Sequence, residues 1–197
     1  MLVLASASPR RQDLLRNAGI AFAVHPTDIP EVPYPGEAPR AFAERMAKEK
    51  AMAVFQQRPQ DTILGADTVV VVEKQILGKP GDQGDAARML RLLSGRSHIV
   101  ITAVCLAGSL QLEAGNQKLG TCFQDVRSET TLVTMDTLSE EDICSYIATE
   151  EPMDKAGAYA IQGIASRWIS RIEGDYFNVV GLPLALVWRM LREHGRV

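Results

Sequence analysis

The chain has 197 residues, 46% of them hydrophobic and 23% charged, with a formal net charge of −3. That length suits a single domain, 1–197, of ordinary globular composition. The slight negative charge gives no electrostatic case for a nucleic-acid or anionic-membrane partner, and no apolar run approaches a membrane span.

The apolar run Met1-Leu2-Val3-Leu4 is short enough for a buried strand, and with no charged segment before it reads as a first strand and not a signal peptide. Ala5-Ser6-Ala7-Ser8-Pro9-Arg10-Arg11 follows. Ser8 is a natural N-cap and Pro9 fits the first helical position. Leu14, Leu15 and Ala18 then fall at helical spacing. A helix N-terminus favours an anion, and two arginines in its first turn oppose the helix dipole unless an anion sits between them. The competing reading is an ordinary capped helix with two solvated arginines.

Residues 20–24 read as a second strand. Residues 25–39 hold five prolines with Asp28, Glu31 and Glu37, which excludes helix and central strand and leaves a surface loop whose acids are solvated by default. Residues 40–57 read as a helix with Phe42, Met46, Ala53 and Val54 as its apolar stripe. Lys48 and Lys50 lie in its second half, where a lysine ordinarily faces water. Residues 62–72 are the strongest strand pattern, continuously apolar and so buried on both faces. Asp67 interrupts that run, at a large desolvation cost unless it is paired. Gly65 and Ala66 leave room for a ligand or another backbone.

Residues 73–75 read as a turn, and Leu77-Gly78-Lys79-Pro80 delivers Lys79 on a short corner. Asp82 caps a helix over 83–93. Residues 97–107 read as another strand, with His98 structural. Residues 108–120 read as a hairpin extension or a loop, and 123–135 as a strand with one wet face. Ser139 caps an acidic helix start running to about 149. The glycine-punctuated segment 154–163 allows close approach to a flat ligand, and the Gln162 amide carries both donor and acceptor for a nucleobase edge. Residues 166–172 and 176–180 read as strands, and Pro183 opens a last helix.

The polar residues in structurally odd places are Ser8, Arg10, Arg11, Glu31, Lys50, Asp67 and Lys79. Cations with carboxylates suit a polyphosphate substrate and a divalent metal, Mg²⁺ or Mn²⁺. A further carboxylate suits proton transfer from water. Neither Gly-x-x-x-x-Gly-Lys-Ser/Thr nor Gly-x-Gly-x-x-Gly occurs, so P-loop and Rossmann chemistry are unsupported. The three cysteines, Cys105, Cys122 and Cys144, have neither disulfide nor zinc spacing, and their odd number favours a reducing, cytoplasmic compartment.

Four blocks resemble the Maf family, in order and across nearly the whole chain. They are Leu4-Ala5-Ser6-Ala7-Ser8-Pro9-Arg10-Arg11, Leu64-Gly65-Ala66-Asp67-Thr68-Val69-Val70, Leu77-Gly78-Lys79-Pro80, and the segment from Asp154-Lys155-Ala156-Gly157 to Gln162-Gly163. The resemblance implies a cytoplasmic nucleoside triphosphate pyrophosphatase of a family first linked to septum formation. It implies an α/β fold with a mixed sheet, flanking helices and two lobes around a cleft, like that of inosine triphosphate pyrophosphatases. It implies a divalent metal and suggests a homodimer. By position, Asp67 matches the proton acceptor. The mechanism that this suggests is attack by a metal-activated water in line at the α phosphorus, with Asp67 as base or metal ligand. Ser8, Arg10, Arg11, Lys50 and Lys79 match phosphate-side residues, and Glu31 the acid near the metal. Arg10, Thr68 and Gln162 match positions tied to base selection. The paired Arg10-Arg11 and the Asp154-Lys155-Ala156-Gly157 block resemble the branch acting on dTTP and UTP. Pro30 stands where many members have a second acid, so the metal shell leans on Asp28 or on one carboxylate fewer. Segment 108–120 is longer than the family pattern. A nucleotide-binding regulator of septation, binding without turnover, is the alternative that the same inventory supports less well, since a pure binder has no need of a costly buried acid.

Overall fold

The computed structural model describes residues 1–114 and 117–196. In chain order the elements are β1 (Leu2–Leu4), α1 (Pro9–Asn17), β2 (Ala23–Val24), α2 (Pro39–Gln57), β3 (Thr62–Val72), β4 (Gln75–Leu77), α3 (Gln83–Leu93), β5 (Ser97–Ala114), β6 (Gln117–Met135), α4 (Glu140–Ile147), β7 (Ile169–Glu173), α5 (Tyr176–Val180) and α6 (Leu184–Glu193). Short 3₁₀ turns cover Glu151–Asp154, Ala156–Ala158 and Ile164–Trp168. The fold is mixed α/β. Its strands form one sheet in the order β2-β1-β3-β5-β6-β7, with β4 paired to β3. No helix among the described residues is long and apolar enough to cross a membrane.

The chain divides into two compact units, Met1–Asp67 with Ala103–Ser128 and Gly181–Val197, and Thr68–Thr102 with Glu129–Val180. In the first unit, β1 lies between β2 and β3 and runs parallel to both, with Val3 opposite Ala23 and Ile63. Leu2, Val3 and Leu4 are all buried, as their unbroken apolar run requires. The helix α1 begins on the Ser8 cap and buries Leu14 and Leu15. The long helix α2 presents a row of small residues, Ala43, Ala47 and Ala51, all fully buried. That row lets α2 close on β3 at Gly65, where a Cβ would run into the Ala47 carbonyl and come within 2.8 Å of the Ala51 nitrogen. The space that Gly65 leaves is therefore filled by the backbone of α2. Ala53, expected in the stripe, is only half-buried.

In the second unit, β3 turns back into β4 through Glu73 and Lys74, both at positive φ (49° and 69°), and Val70 pairs with Leu77. Two consecutive residues at positive φ form the turn that matches the twist of a tight hairpin. The Asp82 side chain accepts from the Asp85 N–H at 2.8 Å and starts α3. Ser139 and Asp142 cap α4 reciprocally in a capping box. The helix α3 packs against α4 and the 156–158 turn.

Three expectations are corrected by these assignments. Residues 176–180 form the helix α5 and not a strand. Their apolar composition suits either state, and Asn178, fully buried and bonded on three sides, decides it through tertiary contacts. Residues 164–168 are a 3₁₀ turn, so the last strand starts at Ile169. The second strand is confined to Ala23–Val24. Of the two readings of segment 108–120, the strand extension is the one observed: β5 runs to Ala114 and β6 starts at Gln117, with residues 115 and 116 outside the described residues.

Candidate active site

The first unit gathers Ser8, Arg10, Arg11, Glu31, Lys50 and Asp67. The Ser6 hydroxyl accepts from the Ser8 N–H at 3.3 Å and from Arg11 Nη1 at 3.1 Å, which closes the loop between β1 and α1. Arg11 Nη1 also donates to the Ala66 carbonyl at 3.0 Å, and Nε to the Gly181 carbonyl at 2.8 Å. The guanidinium thus ties the start of α1 to β3 and to the entry of α6. Burial lowers its pKa, the Asp67 charge raises it in return, and the neighbouring Arg10 lowers it again. Arg10 is half-buried on the same turn. Ser8 caps α1 over the Arg11 N–H at 3.5 Å, a long and weak bond.

Lys50 does not face water as its helix position suggested. It is 8% exposed, and its Nζ donates to Asp67 Oδ1 and to Glu31 Oε1, both at 2.6 Å. Asp67 is 5% exposed. Its cost of burial is offset by this ion pair. Burial pushes the Asp67 pKa up, against the Lys50 charge and hydrogen bond and the Arg11 charge, which pull it down. Lys48, two residues earlier, is exposed. The close approach at Gly65 is what brings an α2 side chain to a carboxylate two residues further along β3.

Glu31 is carried by the proline-rich loop, and that loop is held by a residue the sequence reading passed over. Arg45 of α2 clasps Glu37 through both carboxylate oxygens at 2.7 Å, donates to the Val32 carbonyl at 3.0 Å, and stacks on the Tyr34 ring at 3.9 Å. The Arg45 hydrogen bonds hold the Glu37 pKa down at about 2. Glu37 is therefore paired and not solvated. Asp28, on the same loop, is exposed.

Glu31 and Asp67 offer carboxylate oxygens, the donors that a hard divalent cation takes. One ammonium touches both, so both lie within reach of a single ion. No group of three or more histidine, cysteine, aspartate or glutamate side chains fit for a metal occurs among the described residues. The pair fits Mg²⁺ or Mn²⁺ only in the mode in which water and substrate phosphate oxygens complete the shell.

Thr68, Lys79 and Gln162 lie in the second unit. The Thr68 hydroxyl is 2.9 Å from that of Thr102. Thr102 in turn donates its hydroxyl to the Asn178 carbonyl and its N–H to the Asn178 side chain, at 2.8 and 2.9 Å. The Asn178 amide donates to Val100 and to Thr131. Thr68 is thus oriented by a buried polar network that no sequence spacing announces. Lys79 is exposed on its corner, and the Gly78 carbonyl before it accepts from the Gly157 N–H at 3.0 Å. Gly157 sits at φ 70°, and a Cβ there would press on the Val70 side chain at 3.0 Å. Gln162 is exposed between the buried Ala160 and Ile161 and the half-buried Gly163. His98 is buried, with Nε2 2.7 Å from the Tyr159 hydroxyl and Nδ1 without a hydrogen-bond partner among the described residues. Burial lowers its pKa to about 4, so it is neutral and structural, as expected.

The family described as Maf-like protein matches residues 1–194. A protein of Koribacter versatilis named dTTP/UTP pyrophosphatase is 53% identical over 194 residues, covering 98% of this chain and 94% of that one. A protein of the same name from Syntrophomonas wolfei is 50% identical over 192 residues, covering 98% and 96%. Among solved structures, the Ham1 protein of Staphylococcus aureus matches 68% of this chain and 71% of its own at 13% identity and a TM-score of 0.41, too slight a likeness to bear on function.

Proposed function

This chain belongs to the Maf family, and we propose on that basis that it hydrolyses dTTP and UTP to the nucleoside monophosphate and pyrophosphate, removing them from cytoplasmic nucleotide pools. The observation that carries the reading is 53% identity along nearly the full length of both chains to a relative bearing that name. In the reaction, a water oxygen attacks the α phosphorus in line. The bond from that phosphorus to the oxygen bridging to the β phosphate breaks, and pyrophosphate leaves.

Asp67 takes the proton from the attacking water. A buried carboxylate with a raised pKa is a stronger base than an exposed one, which suits work near neutral pH. Lys50, between Asp67 and Glu31, holds the two acids together and balances their charge. Ser8, Arg10 and Lys79 bind phosphate oxygens, and Arg11 braces the loop on which Ser8 and Arg10 stand. Thr68 and Gln162, with Arg10, select the base. Glu31 and Asp67 would hold Mg²⁺ or Mn²⁺ with the phosphates, and the ion would supply charge neutralisation on the leaving pyrophosphate.

The test is incubation of the purified protein with each nucleoside triphosphate and Mg²⁺ or Mn²⁺, with separation of the nucleotide products. The expected result is monophosphate and pyrophosphate, fastest from dTTP and UTP. Binding of these nucleotides without product would replace the enzyme by a nucleotide-responsive regulator.

A further inference from the structure

Gln162 stands at the exposed tip of a segment whose two sides are anchored by buried or half-buried groups outside the phosphate-side residues. The Tyr146 hydroxyl, on a fully buried ring, accepts from the Ala160 N–H at 3.1 Å and donates to Glu151 Oε1 at 2.9 Å. The Glu151 carboxylate then accepts from the Ile164 N–H, with its two oxygens at 3.1 and 3.3 Å. One tyrosine and one glutamate therefore grip the backbone two residues before and two residues after Gln162. Gly163 is part of the device, because a Cβ there would fall inside the Glu151 carboxylate. The Tyr146 ring is itself set edge-on against Trp168, with centroids 5.4 Å apart. On the far side, His98 holds the Tyr159 hydroxyl.

A glutamine amide offers one donor and one acceptor side by side, which pairs with the N3–H and O4 edge of thymine or uracil. The same amide turned over offers them in the reverse order, which fits cytosine. Which order meets the base follows from the last side-chain torsion, and the backbone sets the distance and angle at which the amide can present it. We propose that Glu151 and Tyr146 are positioning residues for base selection, acting through Gln162 by fixing the 160–164 backbone. The inference rests on the reading of this chain as a dTTP/UTP pyrophosphatase. It explains why a half-buried carboxylate is spent on a backbone N–H beside an exposed glutamine.

The experiment compares kcat/KM for dTTP with that for dCTP in the wild type, Gln162→Ala, Glu151→Ala, Glu151→Gln, Tyr146→Phe and the double variant Glu151→Ala/Gln162→Ala. Loosening a contact by about 1 Å is worth up to about a hundredfold, so Glu151→Ala is expected to lower the dTTP-to-dCTP ratio at least tenfold. Glu151→Gln, which keeps one acceptor oxygen, restores most of it. The double variant discriminates no worse than Gln162→Ala alone, since the two act as one unit. Tyr146→Phe gives a second route to the same loss if Glu151→Ala fails to fold. A ratio unchanged in both Glu151→Ala and Tyr146→Phe, with Gln162→Ala impaired, overturns the positioning role and leaves Gln162 a base reader. An unchanged ratio in Gln162→Ala overturns the inference at its target. Absence of dTTP and UTP turnover in the wild type removes the functional reading, and the inference falls with it.

Discussion

Asp67 and Lys50 are each improbable alone and coherent together. A carboxylate in a buried strand and an ammonium under a helix would each carry a desolvation cost of several kcal/mol if unpaired. Paired at 2.6 Å, with Glu31 as third member, they form a buried charged centre, the one proposed to take the proton. Asp67→Asn keeps the shape and removes the base. The expected outcome is a loss of kcat for pyrophosphate release from dTTP of at least about a hundredfold, with the circular dichroism spectrum unchanged. Wild-type turnover in that variant would end the assignment. The pH profile follows from the direction of the shift. The base works deprotonated and burial raises its pKa, so the acid limb of kcat/KM lies above the ordinary aspartate range. Lys50→Met removes the cation opposing that shift. It should move the acid limb to still higher pH, which a profile of kcat/KM against pH reads directly.

At the scale of elements, the site depends on how closely α2 approaches β3. The row Ala43, Ala47 and Ala51 and the missing side chain at Gly65 set that distance. Backbone, and not the end of a flexible side chain, meets a Cβ at Gly65, so the helix must shift to accommodate one. Gly65→Ala is expected to cost about 1–3 kcal/mol through overpacking. It should also lower kcat by displacing Lys50 from Asp67, although residue 65 touches no proposed substrate group. Thermal unfolding and turnover measured on the same sample check both halves. A stable variant with full activity would show that the close contact does not position the lysine. The proline-rich loop makes a parallel case. It has no regular structure to hold Glu31 in place, and Arg45 supplies the restraint from α2 through Glu37, Val32 and Tyr34.

For the molecule as a whole, the buried His98 couples stability to pH. Its ordinary pKa of 6.5 falls to about 4 on folding because burial disfavours the charged form. A group whose folded pKa is depressed contributes stability that is present above its unfolded pKa and is lost as pH falls towards its folded one. Stability should therefore decline from about pH 6.5 to about pH 4, by up to about 3 kcal/mol from this residue. That is a large share of the stability of an ordinary domain. His98→Gln, which keeps a hydrogen-bonding group but does not titrate, is expected to flatten this slope in urea unfolding at pH 7, 5.5 and 4.5. An equally steep decline in the variant would assign the acid sensitivity elsewhere.

The sequence alone carried the family, the charged inventory and most elements. Each of these is local: an N-cap followed by proline at Ser8-Pro9, an unbroken apolar run at 62–72, a capping box at Ser139, and four motif blocks in order. Asp67 was legible because a carboxylate in such a run is costly wherever the fold places it. Lys50 was legible by resemblance but not by physics, since nothing in a helix repeat tells a lysine that faces water from one that turns inward. Tertiary structure decided the rest. It turned 176–180 into a helix around the buried Asn178, gave Arg11 to the backbone carbonyls of Ala66 and Gly181, and filled the space at Gly65 with α2. It also recruited Arg45, Tyr146 and Glu151, whose partners are hydrogen-bonding groups and rings of the surrounding structure. Main-chain N–H and carbonyl groups are the same at every position, so a side chain that bonds to them leaves no pattern in the sequence, and only packing reveals which one it reaches.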